Sequence, residues 1–144
     1  MKKIILILIS VISIYSASAQ KYTDTYIKDA NAVALSWLND INNNQYENAY
    51  NLLAQEAKTM YQQKTWTNLI SGLMLEFGNL ENRTVTEKYF QSEVEGLEDG
   101  FYVFIEYSAQ YKNTISHTEY ILLKQNDKAK WGIIDYNYEF KNKE

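Results

Sequence analysis

Glu106 and Glu119 sit within expected strands and Asp135 interrupts an apolar one, and these three are the side chains best suited to carry acid–base chemistry in this chain. A carboxylate held in an apolar pocket has a raised pKa and can serve as a general acid or base. Composition closes most other routes. Without Cys there is no thiol nucleophile and no thiolate-bound zinc or iron–sulfur centre. His117 is the single histidine, so zinc sites built on two or three histidines are excluded and any Ser–His–Asp triad must pass through it. It stands at the expected start of a strand beside a polar turn, where an exposed or edge histidine is expected. No G-x-G-x-x-G segment and no phosphate loop supports nucleotide binding. Glu93, Glu95, Glu98 and Asp99 cluster near one turn. Hard cations want several oxygens, but no EF-hand spacing exists and a solvated acidic loop is the better reading. Neither a cofactor nor a metal is expected. Strand carboxylates usually face water, so catalysis ranks behind binding.

The aromatic residues offer the alternative. There are thirteen Tyr, five Phe and three Trp, and each ring can bury on the order of 150–250 Å². Tyr107, Tyr111, Tyr136 and Tyr138 fall by alternation on the helix-facing side of a sheet, near Trp37 and Trp66. Those six could line a pocket for a small apolar, sugar-like or peptide ligand, or they could simply be the core.

The elements that must position these residues follow from hydrophobic period. Between Thr25 and Ile41 the apolar residues Ala30, Val33, Ala34, Trp37, Leu38 and Ile41 fall three and four apart, one face of a helix. Asn42-Asn43-Asn44 ends it. A short second helix spans 45–54, and a third starts near Ala57 with Trp66, Leu69, Ile70, Leu73, Met74 and Phe77 on one face and Gly78 as its cap. After Gly78 the period drops to two. Strands are expected over 83–94, from Phe101 to Tyr111, from His117 to Gln125 and from Trp131 to Phe140, separated by turn signals at Asp99-Gly100, Lys112-Asn113-Thr114 and Gln125 to Lys128. The fold class is therefore α+β: three N-terminal helices packed on a curved four-stranded antiparallel sheet. On the sheet's other face, alternation places Tyr102, Phe104, Leu123, Trp131 and Ile133, a set too apolar for water. That face is the expected interface of a homodimer.

Compartment is read from the N-terminus. Lys2 and Lys3 precede an apolar run from Ile4 to Tyr15, and Ala17-Ser18-Ala19 follows, the three-part pattern of a secretory signal peptide cleaved before Gln20. The run is about 12 residues, short of the roughly 20 a spanning helix needs. The expected organisation is a signal peptide over 1–19 and one domain over 20–144, exported to the periplasm or beyond, with no membrane attachment after cleavage. Losing Lys2 and Lys3 leaves 12 basic against 18 acidic residues. Such a chain, with Arg83 its only arginine and no basic run, is a poor nucleic-acid binder.

Several short segments carry a family resemblance. They are Ala34-x-x-Trp37-Leu38 followed by Asp40, the Tyr46 to Tyr50 helix, Trp66, Gly78-Asn-Leu-Glu-Asn-Arg83, Gly96-Leu-Glu-Asp-Gly-Phe-Tyr102, Glu119 and Trp131-Gly132. In their order they resemble the bacterial exported family called domain of unknown function 4019. A basic residue expected just before Gly78 is absent, the chain reading Gly72-Leu73-Met74-Leu75-Glu76 there. The resemblance implies an exported single domain with a fold of the cystatin-like or nuclear-transport-factor-like class. It brings no established activity, and chemistry is not inherited from a fold. The reading it supports is a non-catalytic module binding a small ligand or peptide. An assembly module using the apolar sheet face comes second, and an isomerase- or lyase-type enzyme with a carboxylate base third.

Overall fold

The computed structural model describes residues 2–143, with side chains from Lys21 onward. The expected signal peptide falls on residues 1–19, outside the described side chains. No helix among the described residues is long and apolar enough to cross a membrane.

Among the described residues, four helices precede four strands: α1 (Lys2–Asn42), α2 (Tyr46–Asn51), α3 (Gln55–Met60), α4 (Gln63–Phe77), β1 (Leu80–Gln91), β2 (Tyr102–Tyr111), β3 (Thr114–Gln125) and β4 (Trp131–Asn142). The strands form one antiparallel sheet in the order β1-β2-β3-β4. Ala30, Ala34, Trp37, Leu38 and Ile41 of α1 are all buried, as their spacing demands. Asn44 then takes a left-handed backbone (φ 60°) and turns the chain into α2, a conformation Asn tolerates better than most residues.

The expected third helix is two. Tyr61 and Gln62 adopt extended backbone (Tyr61 φ −128°, ψ 119°) and separate α3 from α4. The break is fixed from outside, because the Tyr50 hydroxyl donates to the Tyr61 carbonyl at 2.8 Å. Gly78 ends α4 with φ 77°. A Cβ there would also meet the Asn113 side chain at 2.8 Å, and Asn113 is engaged with the Glu76 carbonyl.

Of the four register shifts among the described strands, two set the faces of Tyr89, Phe90, Trp131 and Ile133. In β1 the pairing steps from Val85↔Tyr107 to Glu87↔Glu106, leaving Thr86 extra. A bulge reverses side-chain parity beyond it, so Tyr89 pairs with Phe104 on the outer face while Phe90 packs on the core. In β4 the pairing steps from Ile133↔Leu123 to Asp135↔Leu122, leaving Ile134 extra. Uninterrupted alternation would put Trp131 and Ile133 outside. The bulge puts both in the core. Leu123 is also a core residue, paired with the inward Val103, so the outward residue of that pair of positions is Leu122. Of the five expected interface residues, Tyr102 and Phe104 therefore keep the outer face. Tyr102 is covered: its hydroxyl donates to the Glu98 carbonyl at 2.6 Å and it is fully buried under the loop between β1 and β2.

The sheet's two edges differ. Along β4, Leu52 to Ala54 pairs with Ile133 through Ala54 N–H to Ile133 O at 2.7 Å and Ile133 N–H to Leu52 O at 3.0 Å. Beyond β1, no strand pairs among the described residues.

Candidate functional site

At the centre of the helix-facing surface, Glu119 on β3 is fully buried and accepts four hydrogen bonds. Arg83 on β1 donates Nε to Oε2 at 2.6 Å and Nη2 to Oε1 at 3.0 Å. The hydroxyls of Tyr111 (β2) and Tyr136 (β4) each donate to Oε1 at 2.8 Å. Arg83 Nη2 also reaches the Tyr111 hydroxyl at 2.7 Å and Asn42 Oδ1, at the end of α1, at 3.0 Å. One carboxylate thus ties together three other strands, and the guanidinium ties the sheet to α1. The Arg83 side chain is 9% exposed.

The geometry sets the protonation states. Burial works against the Arg83 charge, but the hydrogen bonds and charge of Glu119 outweigh it and raise the pKa. Burial, reinforced by the Glu119 charge, raises Tyr111 and holds Tyr136 well above the usual phenol range. Tyr107 is raised by burial as well. All three phenols remain donors at neutral pH. Fully buried, with three donors on Oε1 and one on Oε2, Glu119 is a structural acceptor.

The other expected catalytic carboxylates lie elsewhere. Glu106 is on the outer face and accepts from Thr86 at 2.6 Å. Asp135 is exposed and accepts from Asn137 at 2.7 Å. In the acidic loop, Glu98 binds Lys124 at 3.0 Å, and Lys124 also binds Glu56 on α3 at 2.5 Å. His117 corrects an expectation. It is buried, not exposed, stacked on Phe140 (5.4 Å) and set edge-on against Phe77 (4.5 Å). Its Nδ1 pairs with Thr114 Oγ1 at 2.9 Å and Nε2 has no partner among the described residues. Burial lowers its pKa, so the ring is neutral at pH 7.

Two openings flank the Arg83–Glu119 network. A groove of ≈ 760 Å³ runs between α4 and β4, lined by Trp37, Trp66, Leu69, Leu73, Tyr136 and Tyr138. Its exposed rim carries Asn68, Glu76, Asp135 and Asn137. Four of the six expected ligand-binding residues meet here, although Trp37 and Trp66 are themselves 1% and 7% exposed. Their rings pack into the core: Trp37 lies 5.0 Å from Tyr136 and 6.3 Å from Trp66. Trp37 Nε1 is buried without an acceptor among the described residues, as is Trp131 Nε1. The second opening, a cleft of ≈ 710 Å³, lies between α1 and β1 and includes Tyr107 and Arg83 in its wall. Tyr111, the sixth expected residue, stands inside the network and lines neither. No single pocket unites the six, because Trp37, Tyr107 and Tyr111 fill the space between the helices and the sheet.

Residues 33–136, most of the chain, match the family described as protein of unknown function DUF4019. The chain belongs to this family. Among curated proteins nothing matches it. Within the DUF4019 span lie Arg83, Glu119, Tyr111, Tyr136 and Asn42. Residue spacing alone drew attention to the aromatics and missed Arg83 and Asn42 as partners. A signal was there: Arg83 shares parity with the inward Val85, and an inward charge needs an inward partner of opposite sign.

Proposed function

We propose that this DUF4019 protein is an exported, non-catalytic binding module that takes a small, largely apolar ligand without negative charge in the groove between α4 and β4. The observation that carries the reading is the groove itself: apolar and aromatic walls around Trp37, whose buried indole N–H has no acceptor among the described residues. Concave apolar sites with a few polar groups are the usual form of small-molecule pockets. Glu76 and Asp135 on the rim disfavour anions. Export rests on the basic start, apolar run and Ala17-x-Ala19 site. Helices on one face of an antiparallel meander also suit a cystatin-like or nuclear-transport-factor-like fold, whose pockets open between those layers.

The test is native mass spectrometry of the protein purified from a secreting host. A chain starting at Gln20 and carrying a small-molecule adduct, lost when Leu73→Trp fills the groove, is the expected result. An adduct-free protein whose indole N–H signals stay fixed through a library of neutral apolar fragments would overturn the reading.

A second reading, assembly through the outer face, has its own support. Tyr89, Phe104 and Tyr120 form a row of rings there, at 5.0 and 6.2 Å between centroids, turned away from the helices. A dimer mass at micromolar concentration, abolished by Phe104→Lys, is its expected signature, and a monomer would dismiss it.

A further inference from the structure

We infer that the cleft between α1 and β1 is a second binding site, one that takes a carboxylate-bearing ligand with Arg83 as its anchor. Of the guanidinium nitrogens, Nε and Nη2 are committed to Glu119, Tyr111 and Asn42. Nη1 makes no hydrogen bond among the described residues, and Arg83 forms part of the cleft wall. An arginine held rigid on two sides with its third nitrogen free is a pre-organised donor, so little freedom is lost when an acceptor arrives.

The surrounding residues select for negative charge. The chain has 18 acidic residues, yet none lines this cleft, whose remaining polar wall is Asn39, Asn42, Asn43, Asn79 and Tyr107. The groove between α4 and β4, by contrast, is rimmed by two carboxylates. Glu119 balances the Arg83 charge, so the anchor acts through the uncommitted Nη1 N–H groups and through a cleft wall without carboxylates.

The shape points to the end of an extended chain. Leu35, Leu80 and Val85 supply apolar wall between the amides, and β1 leaves its outer backbone edge unpaired among the described residues. A peptide end can pair its main chain with such an edge and deliver its terminal carboxylate to a fixed donor. A free short-chain acid shares the carboxylate and lacks the backbone.

Because Arg83 is the only arginine, its guanidinium signals in a ¹⁵N–¹H spectrum need no assignment. The probes are N-acetyl-Ala-Ala-Val with a free carboxylate, the same peptide as its C-terminal amide, and butyrate, each titrated to about 10 mM, the range of a weak single anchor. The expected result is a saturable shift of the Arg83 signals with the free peptide and at least tenfold weaker binding of the amide. Val85→Trp, which fills the cleft and leaves the ion pair intact, should abolish the shift while its unliganded Arg83 signals match the parent's. Butyrate binding as tightly as the peptide would keep the anchor and make the ligand a small acid. Arg83 signals that stay fixed with every probe, or move equally with acid and amide, overturn the inference. Shifts confined to the indole N–H signals would do so too, and would favour the groove between α4 and β4.

Discussion

Arg83 on β1 and Glu119 on β3 pair across the strand between them, Nε to Oε2 at 2.6 Å. The register explains how. Arg83 sits beside Ala109 of β2, and Glu119 beside Tyr107 of the same strand. Ala109 faces the core with only a methyl group, so the guanidinium can cross β2 and reach the carboxylate. Tyr111, one inward position further on, meets the pair from the side.

The crossing predicts a mutation outside the pair. Ala109→Leu places a branched side chain in the path of Arg83, and overpacking a filled core costs about 1–3 kcal/mol. Loss of the ion pair would add to that. The expected outcome is a fall in urea midpoint together with displaced Arg83 guanidinium signals. Ala109→Gly, which keeps the path open, should leave those signals in place.

Breaking the pair itself should be more costly than deleting it. Arg83→Met leaves Glu119 buried with two phenols and no cation, an expected loss of about 3–5 kcal/mol. Arg83→Met combined with Glu119→Leu removes the stranded charge. It should recover a substantial part of that loss, less a contribution from the Tyr111 and Tyr136 hydroxyls left without an acceptor. A double-mutant cycle by chemical denaturation measures this. Equal losses in the single and double variants would show that Glu119 carries no charge penalty.

How much of this was legible beforehand depends on parity. The helix stripe of Ala30, Ala34, Trp37, Leu38 and Ile41 could be read directly because every member obeys one period. The strands were also legible, since apolar alternation and turn residues agree at their ends. Among the residues expected outside, Trp131 and Ile133 lie on the far side of an extra residue, Ile134, which no period announces, while Leu123 shares the unbroken inward alternation of Glu119 and Ile121 in its own strand. The split between α3 and α4 was equally hidden, because it depends on the Tyr50 hydroxyl reaching Tyr61 from another helix. The Arg83–Glu119 pair lay between these cases: both residues had readable parity, but their pairing across β2 depends on the register.

His117 predicts a pH dependence. Burial among Phe77, Tyr111 and Phe140 lowers its folded-state pKa below the unfolded value of about 6.5. The nearby Glu119 charge raises it and the Arg83 charge lowers it, and neither reverses the shift. A depressed histidine pKa means that the unfolded chain binds the proton first. Its stabilising contribution is therefore complete above about pH 6.5 and is lost as pH falls from there toward the folded-state pKa. His117→Phe should flatten that part of the stability–pH curve. An unchanged curve in the variant would assign the slope to other groups.

Gly132 tests how the β4 edge is closed. A Cβ at this position would lie 2.9 Å from the Ala54 backbone, where Leu52 to Ala54 pairs with Ile133. The backbone conformation at Gly132 does not require glycine, so the penalty of Gly132→Ala is steric alone. The Ala54 strand segment must move away, breaking the Ala54 N–H to Ile133 O bond and opening the edge. A loss of about 1–3 kcal/mol is expected, with faster hydrogen exchange at the Ala54 and Ile133 amides while the β2–β3 amides remain protected. If those two amides exchange no faster in the variant, close packing of Gly132 against Ala54 is not what holds this edge shut.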